Sequence, residues 1–345
     1  MTEIPRRHVL GMTAGAAVGA ALIHPATADA SPRTAAAHVN EEAGDGDWGT
    51  VPAAVPVPQE RWFDNDGIDT ADAPGGDFDG SGYTFPGEEL PAGRLDIDGI
   101  VYLFPAAAAG TRNNIVALGQ RVELPKGRYL SGLFLVAGSY GAASGKATVH
   151  YADGTTQTAA LGGHDRYSGS DTLTALYRRN PAGQKDPHQV VIATAEVAMD
   201  PTKDAVALTL PLTNPAEPNK SALHIFARTL QPAAQGRALM LRAAHSTTSL
   251  LDSGAQSVEA TVINAGTIGI LAPDHLTLSV DVPGARTVAP APVARLAPGE
   301  QARVRTGIRR SPGTPPGTSR DGAVVARGRG QQAAAARRAL TQGSG

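Results

Sequence analysis

"GRYLSGLFLVAGSYG", residues 127–141, is a more continuous apolar run than most β-type segments of the chain and points directly to a fold. A strand with one face in water alternates apolar and polar side chains, whereas this run is nearly continuous. The stretch therefore predicts a β-strand that is covered on both faces.

Short β-type runs separated by turn residues surround this stretch. Asp153-Gly154 can adopt the positive φ angles of a tight turn, and it divides "KATVHYADGTTQTAALGG" into a hairpin. Further runs are "RLDIDGIVYLFP", "NNIVALGQRVELP", "HQVVIATAEVAMD", "DAVALTLPL" and "SALHIFARTLQP". Closely spaced short strands without helical patterns between them predict an antiparallel sandwich over residues 60–232, of the jelly-roll or galactose-binding-like kind.

A second group of strands follows, from residue 236 to residue 330. "SVEATVINAGTIGI" and "APVARLAPGEQARVRTGIR" have the same rhythm, with proline and glycine in the connections. About ninety residues of this kind are typical of an immunoglobulin-like sandwich. The predicted fold class is all-β, two antiparallel β-sandwiches in tandem. We expect disordered ends, namely a flexible leader over 31–59 and a tail over 331–345.

Residues 1–30 have the features of an export signal. Arg6 and Arg7 precede a weakly apolar run, and small residues follow at positions 26–30. Paired arginines before such a run resemble a twin-arginine signal. We therefore expect an extracellular, secreted monomer that is not held in a membrane once the signal is cleaved.

The charge and the cysteine content exclude several classes of partner and site. Thirty lysines and arginines face 32 acids, so the surplus of positive charge that phosphate binding needs is missing. Nucleic acid is therefore not the expected partner. With no cysteine in the chain, disulfides and thiolate metal sites are impossible.

An aspartate- and glycine-rich stretch, "FDNDGIDTADAPGGDFDGSGYTFPGEELPAG", spans residues 63–93. No register of it satisfies the helix-loop-helix calcium motif. A looser calcium site on a sandwich edge remains one alternative, because Ca²⁺ accepts six to eight oxygens of several kinds. Its expected ligands are Asp64, Asp66, Asp77 and Asp79. The other alternative is a folded edge in which aspartates and glycines form turns over Phe63, Phe78, Tyr83 and Phe85.

A carbohydrate-binding rim is the other candidate site. Sugar-binding proteins use exposed aromatic rings together with planar polar side chains, and "GGHDRYSGSD" is the most polar loop with an aromatic residue in the first sandwich. The candidate binding residues are His164, Asp165, Arg166 and Tyr167, with Tyr140 and Tyr151 in loops that could share the same rim. Ordinary loop chemistry is the competing interpretation.

The stretch 63–93, together with "VALGQRVELPKGRYLSGLFLVAGSYG" and "VHYADGTT", resembles the N-terminal accessory sandwich of secreted actinobacterial glycoside hydrolases, in particular alpha-L-fucosidases. "VEATVINAGTIGI" with "VARLAPGEQARVR" resembles the immunoglobulin-like domain beside such catalytic domains. The resemblance covers about residues 56–330. It implies the accessory region of a hydrolase.

The resemblance transfers no catalytic residue to this chain. The catalytic barrel of these hydrolases needs roughly 200–250 residues, and both sandwiches already occupy the sequence. Whether the chain takes part in an enzyme is therefore left open, and a truncated or frame-shifted hydrolase is one hypothesis. The alternatives are a stand-alone carbohydrate- or cell-surface-binding protein and a structural spacer.

Overall fold

Strands account for nearly all of the regular structure in the computed structural model of the chain, which describes residues 48–107, 110–168, 172–213, 220–246, 256–271, 276–281, 285–289, 291–293, 295–311, 321–328 and 331–339. Within these ranges the only helical elements are two 3-10 turns, Glu60–Trp62 and Gly87–Glu89. None of the described residues form a helix that is long and apolar enough to cross a membrane. The prediction of an all-β protein is confirmed.

Strands β1 to β15 form the first sandwich and the hairpins that cover it. In chain order they are β1 (Val55–Pro56), β2 (Ile68–Asp69), β3 (Phe85–Pro86), β4 (Gly93–Ile97), β5 (Ile100–Phe104), β6 (Ile115–Val116), β7 (Arg121–Ser139), β8 (Ala143–Tyr151), β9 (Thr156–Gly163), β10 (Leu173–Ala175), β11 (Arg178–Arg179), β12 (Lys185–Asp186), β13 (Val190–Ala198), β14 (Asp204–Thr209) and β15 (Ala222–Pro232). Nine of these described strands pair into one sheet with the main path β1-β15-β7-β14-β8-β9. In the same sheet β13 pairs with β7, β10 with β13 and β6 with β15. The predicted hairpin at Asp153-Gly154 joins β8 to β9, and Gly154 has a φ of 82°.

β7 links the two layers of this sandwich. Its first half pairs with β14, and its second half pairs with β13 on one side and β15 on the other. In the second half Phe134 and Val136 contribute to the core between the layers, whereas Leu135 and Ala137 contribute to a separate outer core. Both faces are buried, as the continuous apolar run of residues 127–141 predicts.

The outer core is covered by the aspartate- and glycine-rich stretch and the β4–β5 hairpin. Phe78, Phe85 and Phe104 are buried there, with ring centroids 6.2, 5.5 and 6.0 Å from that of Phe226 on β15. Each buried aromatic side chain of this size contributes roughly 2–3 kcal/mol. The interpretation of a folded edge with turns over aromatic side chains agrees with the burial of Phe78 and Phe85, but the stretch covers the face of the sheet and not its edge. Among the described strands, β2 and β3 of this stretch form a short parallel pair.

The second sandwich consists of two four-stranded sheets, in the orders β16-β17-β21-β19 and β20-β18-β22-β23. Its described strands are β16 (Leu239–Ser246), β17 (Gln256–Asn264), β18 (Thr277–Asp281), β19 (Ala285–Ala289), β20 (Ala291–Pro292), β21 (Gln301–Arg310), β22 (Asp321–Gly328) and β23 (Gln331–Ala339). Leu239, Val262, Leu278 and Val304 belong to one buried cluster to which both sheets contribute.

The sequence predicts a disordered tail over residues 331–345, whereas residues 331–339 form the strand β23. This strand pairs antiparallel with β22, from Asp321 opposite Ala339 to Gly328 opposite Gln331. Its alanines and arginines carry no apolar alternation, but backbone pairing to an open strand edge requires none. Residues 340–345 lie outside the described residues.

The sequence also predicts a flexible leader over residues 31–59, whereas the structure shows residues from 48 onward paired to both sandwiches. Gly49 N donates a 2.7 Å hydrogen bond to the carbonyl of Arg237, and Trp48 packs against the core of the second sandwich. Further along, Val55 and Pro56 pair with β15. Backbone hydrogen bonds to both sandwiches fix this Pro- and Ala-rich segment in place, although its side chains have no apolar pattern that predicts a strand. Residues 31–47 lie outside the described residues.

Candidate functional site

Five polar and aromatic side chains gather on the outer side of the first sandwich and form what we call the tyrosine–arginine surface. It is defined by Tyr83, Tyr167, Arg178, Asp186 and His188. Tyr83 lies in the aspartate- and glycine-rich stretch, Tyr167 in the loop after β9, and the other three on or beside the β11–β12 hairpin. Three separate parts of the chain therefore build one surface.

The loop that carries Tyr167 is held against the end of β7. Gly138 N donates to the carbonyl of His164 at 2.7 Å, and Arg166 N donates to the carbonyl of Gly138 at 3.0 Å. The Oδ1 atom of Asp165 accepts a hydrogen bond from Tyr167 N at 2.9 Å. The backbone beneath Tyr167 is thus fixed by hydrogen bonds on both sides.

Arg166 supports this loop from below and is not exposed. Its guanidinium pairs with the carboxylate of Asp79, and these two side chains are only 4% and 3% exposed. The guanidinium carbon also lies 5.0 Å from the ring centroid of Phe78 and 4.9 Å from that of Tyr167. Cation–π contacts of this kind stabilise partly desolvated arginines. The sequence predicts a sugar contact of Arg166, whereas the structure buries its side chain beneath Tyr167, away from solvent.

Arg178 connects the members of the surface. Its Nε and Nη2 atoms lie 2.8 and 2.7 Å from Oδ2 of Asp186, and Nη1 donates to the hydroxyl of Tyr167. The guanidinium carbon is 3.8 Å from the ring centroid of Tyr83 and 5.4 Å from that of Tyr167. The remaining oxygen of Asp186 pairs with Nδ1 of His188. The result is a connected row of planar groups, imidazole, carboxylate, guanidinium and phenol.

The charges of this row reinforce one another. Burial raises the pKa of Asp186, but hydrogen bonds from His188 and Arg178 outweigh that effect and hold it below its usual value. Burial likewise lowers the pKa of Arg178, and the bonds to Asp186 and Tyr167 reverse the shift, so that it is raised. Asp186 is therefore an anion and Arg178 a cation at neutral pH, with fixed orientations.

Tyr140, another tyrosine of the first sandwich, lies at the turn after β7. It is 38% exposed, its φ is 52°, and its hydroxyl is hydrogen-bonded to Ser81 Oγ. A bulky residue with positive φ is uncommon and is found preferentially at functional positions. This hydrogen bond joins the turn after β7 to the aspartate- and glycine-rich stretch that carries Tyr83.

The surface offers both apolar faces and hydrogen-bonding groups to solvent. Tyr167 is 43% exposed, and the side chain of His188 is 60% exposed. Tyrosine combines a rigid apolar ring with a polar end at low entropic cost. The side chains of Arg178 and Asp186 are 15% and 18% exposed, so the imidazole of His188 is the most exposed hydrogen-bonding group of the row.

The other predicted rim residues differ in their exposure to solvent. His164 is exposed next to Asp165, on the same loop as Tyr167. Tyr151, which the sequence placed on the rim, is buried in the core between the layers, where its hydroxyl donates to Gln157 Oε1. A sugar contact of His164, Asp165 or Tyr167 stays a prediction.

The four aspartates predicted as calcium ligands accept hydrogen bonds from different protein donors. Asp64 accepts from Val116 N and Gln120 Nε2, both at 2.8 Å, and Asp66 accepts from Asn113 Nδ2 at 2.9 Å. Asp77 Oδ1 accepts from Gly80 N at 2.7 Å and Gly82 N at 2.9 Å, as the turn interpretation predicts, and Asp79 pairs with Arg166. Burial raises the pKa of Asp64 and of Asp66.

Among the described residues, no group of three or more histidine, aspartate or glutamate side chains is arranged to hold a metal ion. Calcium binding stays a prediction. Arg6 and Arg7, predicted to be part of the export signal, lie outside the described residues.

Sequence reasoning missed Arg178, Asp186 and His188. Their segment, "YRRNPAGQKDPHQ", contains an Asn-Pro-Ala-Gly turn between two short polar runs, which could have indicated the β11–β12 hairpin. Two-residue strands have no hydrophobic periodicity, so no pattern marked these side chains as neighbours of Tyr167.

Comparison with known proteins identifies one domain. Residues 55–199 match the family model of the AziU2-like beta-sandwich domain, which is less than half of the chain but includes the whole tyrosine–arginine surface. No curated protein matches the chain in sequence. The match confirms a β-sandwich domain in this part of the protein.

Proposed function

We propose that this protein is an exported, non-catalytic accessory protein that binds carbohydrate through the tyrosine–arginine surface. The observation that carries the proposal is the exposed ring of Tyr167 fixed next to the Arg178–Asp186–His188 row. A sugar ring has apolar C–H faces and equatorial or axial hydroxyls. The phenol ring can stack on such a face while the charged row pairs with the hydroxyls.

The surface suits a neutral ligand better than a charged one. Arg178 is already neutralised by Asp186, and the whole chain has a net charge of -2. An ionic ligand would have to displace a hydrogen-bonded ion pair, whereas hydroxyls can add to the free lone pairs and N–H groups. A neutral sugar is therefore the expected ligand class.

The resemblance to secreted alpha-L-fucosidases supports a more specific role. In that role the two sandwiches hold the catalytic domain of a glycoside hydrolase near its glycan substrate. Arg6 and Arg7 would direct export through the twin-arginine pathway. The family match supports the sandwich domain, and the sequence resemblance alone supports the link to a hydrolase.

Glycan-array screening of the purified full chain, followed by calorimetry on the sugars that bind, tests the proposal. We expect Tyr167→Ala to weaken binding by about tenfold or more, because a stacked aromatic ring at a binding site often contributes above 1 kcal/mol. Val288→Ala removes a 51% exposed apolar side chain from the second sandwich and is the matched control, with unchanged affinity.

Two results would contradict the proposal in different ways. The absence of any bound glycan would favour the structural spacer. Hydrolysis of a chromogenic fucoside by the purified chain would show that the protein is itself an enzyme.

A further inference from the structure

The first sandwich has a pocket that is separate from the residues of the tyrosine–arginine surface. It lies between the segment around the first 3-10 turn, the start of β7, and β15, and it has a volume of about 500 Å³. It is lined by Val57, Pro58, Glu60, Arg61, Glu123, Leu124, Pro125 and Arg228. The volume is within the range of small-molecule sites.

Arg228 is the unusual member of this lining. It is 3% exposed, and its Nε atom has no hydrogen-bond partner among the described residues. Its Nε atom is fully enclosed. Burial, together with the charge of nearby Arg61, lowers the pKa of Arg228 to about 10, and Glu123 acts in the opposite direction. A buried guanidinium nitrogen without an acceptor is costly, and a ligand with acceptor oxygens would lower that cost.

Two more buried donors on the same segment also lack acceptors among the described residues. They are Nε2 of Gln59, a residue that is 3% exposed, and Nε1 of Trp62. Trp62 packs against the core between the layers, which also contains Val57 and Leu124. Neither residue lines the pocket, so Arg228 is the lining residue whose unpaired donor indicates a ligand with acceptor oxygens.

The acidic groups of the lining leave Arg228 unpaired. Glu123 forms a 3.0 Å ion pair with Arg61, and these side chains are 59% and 67% exposed. Glu60 is exposed as well. The wall thus combines two cations and two anions, of which only Arg228 is buried, with an Nε atom that has no hydrogen-bond partner among the described residues.

We propose that this pocket binds a small organic carboxylate, with the carboxylate on the guanidinium of Arg228 and the apolar part of the ligand against Val57 and Leu124. A carboxylate matches the planar fork of a guanidinium with two parallel hydrogen bonds. The site is independent of the proposed sugar binding, because it shares no residue with the tyrosine–arginine surface.

Benzoate and benzamide form a matched pair of probes, since they differ in charge but hardly in shape. NMR titration of the isotope-labelled full chain at constant ionic strength measures both. We expect saturable shifts of the resonances around the pocket with benzoate, and at least about tenfold weaker binding of benzamide. Equal binding of the two probes, or no saturable binding of benzoate, would overturn the proposal.

Arg228→Leu removes the buried charge, and Arg94→Leu removes an exposed arginine on β4 as the control. We expect benzoate binding to be lost in the first variant and kept in the second. Unchanged benzoate affinity in Arg228→Leu would also overturn the proposal. Should that variant fail to fold, a rise in the wild-type thermal midpoint with benzoate and not with benzamide supports the site, and equal rises contradict it.

Discussion

Arg166 and Arg228 are both buried in the first sandwich, and their surroundings differ in a way that suggests different roles. Arg166 pairs with Asp79 and lies against two aromatic rings, so its charge is compensated inside the protein. The Nε atom of Arg228 has no hydrogen-bond partner among the described residues. Arg166 packs against Tyr167, whereas Arg228 is the residue for which we propose an external anion.

His224 is a third buried ionisable residue, and it is neutral. Its Nδ1 atom lies 3.0 Å from Asn114 Oδ1 and therefore donates, while Nε2 lies 3.3 Å from Ser139 Oγ. Its ring centroid is 3.9 Å from that of Phe78. Burial, with the charge of Arg166 nearby, lowers the pKa of His224 from 6.5 to about 3.

This shift predicts a loss of stability in mild acid. The unfolded chain takes up the proton near pH 6.5 and the folded chain only near pH 3, so stability is full above pH 6.5 and falls as the pH drops between these values. Between pH 7 and pH 4 the titration of His224 should lower the free energy of unfolding by up to about 3 kcal/mol. Urea unfolding should show a smaller loss over this range for His224→Gln than for the wild type.

The exposed His164 provides the control for this experiment. His164→Gln should keep the wild-type dependence on pH. Identical pH profiles for His224→Gln and the wild type would show that His224 is not the group responsible.

At the scale of the elements, the contact between the end of β7 and the loop after β9 sets the position of Tyr167. Gly138 lies at this contact, where a Cβ atom would be 2.4 Å from the carbonyl oxygen of Gly141 and 2.9 Å from that of His164. Both distances are shorter than real Cβ contacts. A larger residue must therefore push the loop away from the strand.

Gly138→Ala should destabilise the first sandwich by roughly 1–3 kcal/mol and weaken sugar binding through displacement of Tyr167. Gly269→Ala is the matched control, because a Cβ there meets its nearest atom at an ordinary 3.7 Å. Thermal unfolding and calorimetric titration measure the two effects. If affinity is unchanged while stability falls, the loop does not hold the binding ring in place.

The elements that the sequence predicts well are those whose apolar pattern is local. The run of residues 127–141 indicated a strand buried on both faces, and β7 has such faces because Phe134 and Leu135 enter different cores. Asp153-Gly154 likewise determined the β8–β9 hairpin. In these cases the information lies within a few residues of the structure that it specifies.

The candidate site depends instead on residues that are far apart in the sequence. Arg178 meets Tyr83 and Arg166 meets Asp79 because the covering layer folds over the sheet, which no periodicity describes. The strand β23 and the segment from Trp48 onward were missed for a related reason. Backbone pairing to a free edge leaves little mark on side-chain patterns.

For the molecule as a whole, the segment between β15 and β16 matters most. Ala234 N donates to the carbonyl of Ala265 at 2.9 Å, and Ala265 N donates to the carbonyl of Ala238 at 2.8 Å. Leu130 of β7 belongs to one buried cluster with Ala234, Ala238, Ile263 and Ala265. Apolar contacts and backbone hydrogen bonds together join the two sandwiches at this segment.

The two tryptophans of the chain allow this coupling to be measured, because each reports on a different core. Trp62 packs against the core between the layers of the first sandwich, and Trp48 against the core of the second. We expect Trp48→Phe and Trp62→Phe, which leave one fluorophore each, to show fluorescence transitions at the same urea concentration as circular dichroism. Coincident transitions are the sign of a single cooperative unit.

Leu130→Ala tests whether the shared cluster causes this cooperativity. If Leu130 serves only as a core residue, the truncation should lower the free energy of unfolding by about 2–3 kcal/mol. If Leu130 also couples the sandwiches, the truncation should in addition separate the Trp48 and Trp62 transitions. Val122→Ala, in the core of the first sandwich alone, should lower both transitions together. Separate transitions already in the parent single-tryptophan variants would instead mean that the sandwiches fold independently despite the contacts between them.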